Sequence, residues 1–273
     1  MPDLWTARRP APLPRLPRAA ARRVHGVLTD IDDTLTRDGA IEPAALAALH
    51  ALRAAGLHVL AITGRPAGWS EPFARAWPLD AIVAENGGVA LIPQPGGLRW
   101  AFAQDDTATR EDHARRLAAA AARVIDQVPD AVLSTDNPGR VTDIAFDHSE
   151  FVQRDPAHVA RVAQLLRDEG LTVTVSSIHI NAWLGRHDKL SGARWMLDRL
   201  YGIHLDAEPE RWVYVGDSTN DQVMFGHFPL SVGVANLMRF ADELHTWPAY
   251  MTAGERGDGF AEVARALLDA RAA

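Results

Sequence analysis

The chain lacks cysteine altogether and contains a single lysine among its 273 residues. The absence of cysteine excludes disulfide bonds and thiolate metal sites, and it suits a reducing compartment such as the cytoplasm. No apolar run approaches the roughly 20 residues that a membrane-spanning helix needs. The formal net charge of -7 argues against a general nucleic-acid or anionic-membrane binder. We therefore expect neither nucleic acid nor membrane as a partner.

What is present indicates an ordinary globular protein with a substantial core, because 47% of the residues are hydrophobic and 23% are charged. Residues 1–22 differ from the rest. They are rich in arginine and proline and lack the apolar stretch of a secretory signal. We predict that they form a flexible arm, and a basic docking tail is the alternative interpretation.

The segments on either side of the middle of the chain alternate strands with helices, which predicts a parallel sheet with right-handed crossovers. Pro43 suits the first turn of one helix, and Gly56 ends it. The predicted strands are 24–29, 57–62, 81–84, 211–215 and 230–234, and the predicted helices are 42–55, 189–201 and 260–270.

A different pattern fills the segment between Gly88 and Trp183, where a hairpin is followed by helices and strands. We predict strands over 89–92, 98–102, 141–146, 171–176 and 178–182, and helices over 109–127 and 156–169. The fold class is therefore α/β, with a Rossmann-like parallel-sheet core over 23–86 and 184–273 and an α+β module inserted over 87–183.

Acidic loops follow two of the predicted core strands. One is Asp30-Ile31-Asp32-Asp33-Thr34, and the other runs from Gly216 to Asp221. Because ligands of parallel sheets bind beyond the carboxyl ends of the strands, we expect Asp30, Thr63 and Asp217 to face one crevice. Clustered carboxylates of this kind suit Mg²⁺, and a carboxylate can serve as the nucleophile in phosphoryl transfer. The first loop does not fit an EF-hand, which requires glycine at Leu35 and glutamate at Ile41.

Lys189 stands alone, since every other basic residue is an arginine. A lysine at the start of a helix can be an ordinary surface residue. Its compact ammonium is also what a phosphate-binding site uses, and the fork of an arginine would replace it poorly. The position of Lys189 between the two acidic loops of the sequence favours the second interpretation.

The D-x-D-x-T loop, the Thr63-Gly64-Arg65 loop, Lys189 and the G-D-S-x-N-D loop resemble the four motifs of haloacid dehalogenase-like phosphatases. The inserted module resembles the type IIB cap of this superfamily in position and rhythm. Sucrose phosphatase, mannosyl-phosphoglycerate phosphatase and Cof-type sugar phosphatases share that arrangement. In these relatives, glycine commonly occupies the position of Asp33, and an acidic residue is often found at that of Asn181.

The resemblance implies roles for four reacting residues. Asp30 would be the nucleophile and a metal ligand, and Asp32 would be the general acid/base, with its backbone carbonyl also binding the metal. Thr63 would bind a phosphoryl oxygen, while Lys189 would bridge Asp30 and the phosphate.

The resemblance also implies binding residues around this centre. Asp217 and Asp221 would complete the metal site, and Asn220 would orient the phosphate. Further candidates for contacts with the substrate or phosphate are Gly64, Arg65, Asn86 and Asn181. His179 and Asn181 share the polar face of one strand, and a simple exposed face is an equal alternative for them.

These observations predict a Mg²⁺-dependent phosphomonoester hydrolase that forms an aspartyl-phosphate on a small phosphorylated metabolite, such as a sugar phosphate. Two alternatives stay open. A phosphomutase would return the phosphoryl group to the sugar, and a non-catalytic sensor would bind a phosphorylated ligand without turnover. An acid/base carboxylate beside the nucleophile favours catalysis over the sensor, because a binder does not need one.

Overall fold

The computed structural model describes residues 10–272 and contains one large and one small sheet, with a short two-stranded ribbon. The large sheet has the order β1-β15-β14-β13-β2-β5-β6-β7-β8. Its strands pair in parallel from β1 to β6, and the last two are antiparallel. The strands are β1 Ala11–Pro12, β2 Gly26–Thr29, β3 Thr36–Arg37, β4 Ala40–Ile41, β5 His58–Ile62, β6 Ala81–Ala84, β7 Val89–Gln94, β8 Gly97–Phe102, β9 Val132–Leu133, β10 Asp143–Asp147, β11 Thr172–Val175, β12 His179–Trp183, β13 Trp212–Gly216, β14 Leu230–Gly233 and β15 Tyr250–Met251.

Helices cover both faces of the large sheet. Apolar side chains of α2, α3 and α8 pack on one face, and those of α6 and α7 pack on the other. The helices are α1 Arg18–Ala21, α2 Pro43–Ala54, α3 Ala67–Ala76, α4 Thr107–Gln127, α5 Pro156–Asp168, α6 Lys189–Tyr201, α7 Gln222–His227 and α8 Arg256–Ala272. The predicted fold class is confirmed. No helix in the described part of the chain is long and apolar enough to cross a membrane.

The central strands β2, β6 and β13 are buried along their whole length, as expected where helices cover both faces of a parallel sheet. Thr29, at the end of β2, pairs with Ala61 of β5 and with Val215 of β13. The register therefore brings the loops after β2, β5 and β13 to the same edge of the sheet.

The small sheet has the order β11-β12-β10-β9, is antiparallel throughout, and packs against α4 and α5. Side chains alternate between its faces. Ile144, Phe146 and Ile180 point toward the helices and form a core of their own. His179 and Asn181 lie on the opposite face, which turns toward the large sheet. We refer to residues 107–183, which contain this sheet and both helices, as the small-sheet module.

The predicted hairpin forms, but it does not belong to the small sheet. Strand β7 pairs with β6, and β8 pairs with β7, so both extend the large sheet. Sequence pattern identified the two strands but could not identify their partner, because an antiparallel edge strand has no signature that names its neighbour. The division of the chain at residue 87 stays a prediction.

The prediction of a flexible arm is wrong for residues 10–22. Strand β1 pairs in parallel with β15, and Leu13, Leu16 and Ala21 are buried against the core. The Arg22 side chain also donates to the carbonyl of Ala270 at 2.7 Å. Three apolar residues spaced among prolines are enough to anchor this segment. The remainder of the predicted arm, residues 1–9, lies outside the described residues.

Candidate active site

The loop after β2 carries Asp30 into the interior. Its backbone N–H donates to the carbonyl of Val215 at 2.9 Å, which continues the pairing of β2 with β13. The loop then turns sharply at Asp33, whose φ of +54° lies in the left-handed region. Glycine adopts this conformation without strain, which accounts for its frequency at this position in the phosphatases that the motifs resemble. Here the Asp33 carboxylate points to Arg256, whose Nε lies 2.6 Å away, so its charge is paired.

Lys189 reaches this loop from the first residue of α6. Its Nζ lies 2.6 Å from Asp30 Oδ1, 2.6 Å from Asp221 Oδ1 and 3.2 Å from Asn220 Oδ1. The side chain is 2% exposed, so these three acceptors replace water around the ammonium. Each is an oxygen at hydrogen-bonding distance.

A close approach of backbones places α6 at this position. Gly87 has a φ of +106°, and a Cβ added there would lie 2.4 Å from the carbonyl oxygen of Asp188. The start of α6 therefore packs directly on the turn after β6. Asp188 caps the helix by accepting from the N–H of Ser191 at 2.7 Å. Together these contacts fix the direction in which Lys189 points.

Asp221 is held by four donors. Its Oδ1 accepts from Lys189 and from the Tyr214 hydroxyl at 2.5 Å, and its Oδ2 accepts from the N–H groups of Asp217 and Ser218 at 2.9 and 3.1 Å. Both oxygens are thus engaged within the protein. This arrangement fits a residue that positions Lys189 and the loop of Asp217, and a metal bound by Asp221 would have to displace one of these donors.

The carboxylates of Asp30, Asp217 and Asp221 each contribute an oxygen to a group in which all the oxygens lie within 4.8 Å of one another. All three residues are buried, and only Lys189 among the described residues brings a positive charge into contact with them. Hard carboxylate oxygens gathered in this way suit Mg²⁺, which prefers oxygen ligands and binds through a few carboxylates together with water and phosphate. The donor set therefore fits a magnesium ion held chiefly by Asp30 and Asp217.

Burial without an ion shifts the acidity of these groups. The pKa of Asp30 is raised to about 8, because desolvation raises it more than the charge of Lys189 lowers it, and the negative charges of Asp221 and Asp32 add to the rise. Desolvation and the charges of Asp30 and Asp221 likewise raise the pKa of Asp217 well above its usual range. A bound cation would reverse both shifts, because it stabilises the ionised carboxylates.

Arg65 lies between the large sheet and the small-sheet module and pairs with both. Its Nε lies 3.1 Å from each carboxylate oxygen of Asp32. Its two terminal nitrogens reach Asp136 at 3.1 Å and Glu150 at 2.8 Å, and both acids belong to the small-sheet module. The guanidinium also lies over the ring of Trp69, 4.7 Å from its centroid. The Arg65 side chain thereby connects Asp32, the candidate acid/base, to the small-sheet module.

Two cavities meet at Arg65. The inner one, of about 20 Å³, lies over the acidic cluster and is lined by Asp30, Asp32, Thr63, Gly64, Arg65, His179, Asn181, Asp217 and Asn220, together with four residues of the neighbouring loops. The outer one, of about 580 Å³, opens beyond Arg65 between the module and the sheet edge, and Trp69, Phe151 and Phe240 contribute aromatic walls. The inner cavity fits a group the size of a few water molecules, and the outer one has room for a metabolite.

The structure brings most of the sequence-predicted residues together. Eight of them line the inner cavity, and they are Asp30, Asp32, Thr63, Gly64, Arg65, Asn181, Asp217 and Asn220. Lys189 and Asp221 lie directly beneath, where Lys189 contacts both Asp30 and Asp221. Asn86 is buried behind Gly64, 2% exposed, and does not line the cavity. A direct contact between Asn86 and a ligand therefore has no support from this geometry.

His179 and Asn181 do not form an exposed strand face, since both are buried against the sheet edge. The Asn181 amide donates to the carbonyl of Gly64 at 3.4 Å, and His179 Nε2 lies 2.8 Å from Glu150. The Asn181 Oδ1 has no partner among the described residues and belongs to a side chain that lines the inner cavity. It is therefore a buried acceptor whose hydrogen-bonding capacity is unsatisfied.

Sequence reasoning missed the residues that surround the four motifs. Glu150 and Asp136 lie in irregular segments of the small-sheet module, and Asn236 and Arg256 lie near the C-terminus. None of these four residues belongs to a motif. The one signal in the sequence was the acid at Asp33, whose negative charge a nearby cation would stabilise. In the structure, Arg256 is that cation.

Comparisons with known proteins agree with this geometry. Residues 27–98 match the family model of haloacid dehalogenase-like hydrolases. No curated protein matches the sequence. Among solved structures, a protein from Thermoplasma acidophilum is 17% identical with a TM-score of 0.68, and the match covers 90% of this chain and 98% of that protein.

Two further solved structures carry descriptions of activity. The sucrose-phosphatase of Synechocystis, solved with sucrose and phosphate, is 18% identical over 90% of this chain and 98% of its own, with a TM-score of 0.64. The C-terminal domain of trehalose-6-phosphate phosphatase from C. albicans is 15% identical over 95% and 98%, also at 0.64. The resemblance inferred from the motifs agrees with these findings: residues 27–98 match the model of haloacid dehalogenase-like hydrolases, and the chain shares the fold of the solved structures.

We expect the stability of the metal-free protein to fall between about pH 6.5 and pH 8. Burial raises the pKa of Asp30 and of Asp143 to about 8 each, so both stay protonated when folded but ionised when unfolded. Each then favours folding at low pH and loses this contribution as the pH rises, by about 1.4 kcal/mol per pH unit. Burial lowers the pKa of His187 to about 4, which acts in the opposite direction but only below about pH 6.5.

Thermal unfolding in EDTA measures this dependence, and the midpoint should fall by roughly 10 °C over that window. Asp143 belongs to the small-sheet module and pairs with Arg140, so it serves as a matched control for Asp30. Asp30→Asn and Asp143→Asn should each reduce the change of the unfolding midpoint with pH. Mg²⁺ should remove only the part of this change that Asp30 contributes. A midpoint that does not change from pH 6.5 to pH 8 would contradict the assignment.

Replacing Arg65 by alanine should loosen the small-sheet module. The variant loses the ion pairs to Asp136 and Glu150, and hydrogen bonds to charged partners contribute about 1.5–3 kcal/mol each. We expect kcat/KM to fall by about 10- to 100-fold and hydrogen exchange to accelerate over residues 176–181. Arg123→Ala is the control, because its exposed pair with Glu169 lies within the module. Equal exchange in both variants would show that Arg65 does not hold the module closed.

Proposed function

We propose that the protein is a Mg²⁺-dependent phosphomonoester hydrolase that works through an aspartyl-phosphate on Asp30. The observation that carries the proposal is the contact between Lys189 and Asp30 at 2.6 Å, directly beneath a cavity that Asp32 and Asp217 also line. A nucleophilic carboxylate, a cation, a second carboxyl and a pair of metal-binding acids are the groups that this chemistry needs.

In the first step, a carboxylate oxygen of Asp30 attacks the phosphorus atom, and the bond from phosphorus to the leaving oxygen breaks. Asp32 supplies a proton to that oxygen, so that an alcohol departs. Lys189 holds Asp30 in place and offers its charge to the phosphoryl oxygens. Thr63 and the loop of Gly64 border the same cavity and would bind the remaining oxygens.

In the second step, Asp32 takes a proton from a water molecule, whose oxygen attacks phosphorus. The bond between phosphorus and Asp30 breaks, which regenerates the carboxylate and releases inorganic phosphate. Mg²⁺ bound by Asp30, Asp217 and the carbonyl of Asp32 would neutralise the anionic oxygens in both steps. Asp32 gives up one proton in the first step and takes one up in the second. The protein is therefore unchanged after one turnover.

The substrate in this proposal is a small phosphorylated metabolite of the size of a sugar phosphate, and we place the enzyme in the cytoplasm. The outer cavity of about 580 Å³ has room for such a leaving group and offers polar and aromatic walls. The similar Synechocystis protein is a sucrose-phosphatase that was solved with sucrose and phosphate. The small-sheet module would act as a cap that closes over this group and excludes bulk water.

A panel of phosphorylated metabolites and an aryl phosphate tests the proposal, with phosphate release measured in Mg²⁺ and again after EDTA. We expect turnover of at least one substrate that EDTA abolishes and Mg²⁺ restores. Transfer of the phosphoryl group to another position on the sugar, seen by product analysis, would favour the phosphomutase. Binding without turnover across the whole panel would favour the sensor.

A further inference from the structure

The amide of Asn236 connects three segments around the candidate metal site. It belongs to the segment that follows β14, and it is 2% exposed. Its Nδ2 donates to the carbonyl of Asp33 at 2.9 Å and to Oδ2 of Asp217 at 3.1 Å. Its Oδ1 accepts from the backbone N–H of Arg256 at 2.9 Å.

The orientation of this amide follows from its partners. The two acceptors, Asp33 O and Asp217 Oδ2, require the NH₂ group, and the N–H of Arg256 requires the oxygen. If the amide were flipped, its oxygen would face the two acceptor oxygens, and its NH₂ group would face the N–H of Arg256. Both hydrogens of Nδ2 are used, so Asn236 binds the first acidic loop and the second at the same time.

Two of these segments are joined a second time, by the ion pair between Arg256 Nε and Asp33 Oδ1 at 2.6 Å. Asn236, Asp33 and Arg256 therefore form a closed ring of hydrogen bonds. This ring holds the backbone of Asp33, three residues after Asp30, at a fixed distance from the Asp217 carboxylate.

We propose that Asn236 is a positioning residue for the metal site, which orients Asp217 and sets its separation from the loop of Asp30. The hydrogen bond to Oδ2 leaves the other carboxylate oxygen of Asp217 to bind the cation. Side chains that orient metal ligands in this way commonly change metal affinity by about 10- to 100-fold when they are removed. The inference rests on the proposed function, because it assigns a role relative to the ion that the function requires.

Ion binding by the full-length protein, measured without substrate, tests this role. Mn²⁺ prefers the same oxygen ligands as Mg²⁺, and the electron paramagnetic resonance signal of the free ion reports binding directly. We expect Asn236→Ala to raise the dissociation constant for Mn²⁺ about 10- to 100-fold. At saturating Mg²⁺, the kcat of this variant should return toward that of the original protein, since Asn236 touches no reacting atom.

Asn137→Ala is the matched control, because it removes an asparagine of the small-sheet module whose Oδ1 accepts from the N–H of Ala145. Its dissociation constant for Mn²⁺ should stay within about threefold of the original. Arg256→Ala removes the ion pair to Asp33 but keeps the backbone N–H that Asn236 accepts, so we expect its dissociation constant to rise less than that of Asn236→Ala.

The outcomes separate this inference from the proposed function. If the original protein neither binds Mn²⁺ nor hydrolyses a phosphomonoester, the proposed function is wrong. If it does both, but the dissociation constant of folded Asn236→Ala for Mn²⁺ lies within threefold of the original, then only the role proposed for Asn236 is wrong. Should Asn236→Ala fail to fold, Asn236→Ser replaces it, because a hydroxyl preserves the small polar side chain but cannot reach both acceptors; the same threshold then applies.

Discussion

Asp30→Asn should abolish turnover, with a loss of at least about 10⁴-fold in kcat, because the amide retains the shape of the carboxylate but cannot displace an alkoxide from phosphorus. The variant should remain folded. Burial raises the pKa of Asp30 to about 8, so the native carboxylate is poorly solvated, and an uncharged amide removes that cost. Lys189 keeps its contact with Asp221 at 2.6 Å.

Hydrolysis of an aryl phosphate in saturating Mg²⁺ measures the loss, and thermal unfolding verifies the fold. Asp112→Asn is the control, since this aspartate of α4 pairs with Arg115 at the surface. Mass spectrometry after an acid quench should find a phosphoryl group on Asp30 in the original protein and none in the variant. Turnover by Asp30→Asn within tenfold of the original rate would rule out the aspartyl-phosphate.

Lys189→Met should damage both stability and activity. The ammonium lies between the buried carboxylates of Asp30 and Asp221, and removing one partner of a buried ion pair costs about 3–5 kcal/mol. The charge that Lys189 would offer to the phosphoryl oxygens disappears as well, and the loss of one such group lowers kcat by about 100- to 1,000-fold. Methionine has a similar length and no charge, so the effect is electrostatic.

Urea unfolding with and without Mg²⁺ measures the stability, and Lys189→Arg is the matched variant. Arginine keeps the charge but places a wide planar fork where three acceptors surround a single nitrogen, so we expect it to recover part of the stability and little of the activity. Mg²⁺ should stabilise Lys189→Met more than the original protein, because it supplies the missing positive charge. A fully active Lys189→Arg would contradict the role given to the ammonium.

Much of the core could be predicted from sequence because its elements are well marked. The range predicted for β6 matches the structure residue by residue, and so does that for α6, since each is a short apolar or amphipathic segment bounded by a loop with a clear signal. Parallel strands place the residues after them at one edge, and this rule alone predicts that Asp30, Thr63 and Asp217 share a crevice, as they do. For these three residues, the order of the elements along the chain was enough.

The surroundings of the site could not be predicted in this way. The contact of Arg65 with Glu150 spans 85 residues, and that of Asn236 with Asp33 spans 203. Such pairs depend on how the module and the C-terminal segment dock, which local periodicity does not encode. The same reason explains the hairpin: alternation identified β7 and β8, but the choice of β6 as the partner of β7 was decided by packing.

Arg65 connects the position of the small-sheet module to the chemistry proposed for Asp32. Its guanidinium contacts both oxygens of Asp32, the group that would protonate the leaving alcohol. Arg65 lines both cavities, so a substrate that spans them lies beside it. Movement of this side chain toward an incoming phosphoryl group would free Asp32 and, at the same time, loosen its hold on Asp136 and Glu150.

Because the chain contains one lysine, ordinary protein labelling can probe the candidate active site. Reagents that acylate or alkylate side-chain amines have a single target in this sequence, and the folded protein shields it beneath the inner cavity. The rate at which Lys189 becomes modified therefore reports how often the pocket opens, without any engineered probe. Ligands that close the pocket should slow that reaction, which offers a screen for binders that requires no knowledge of the substrate.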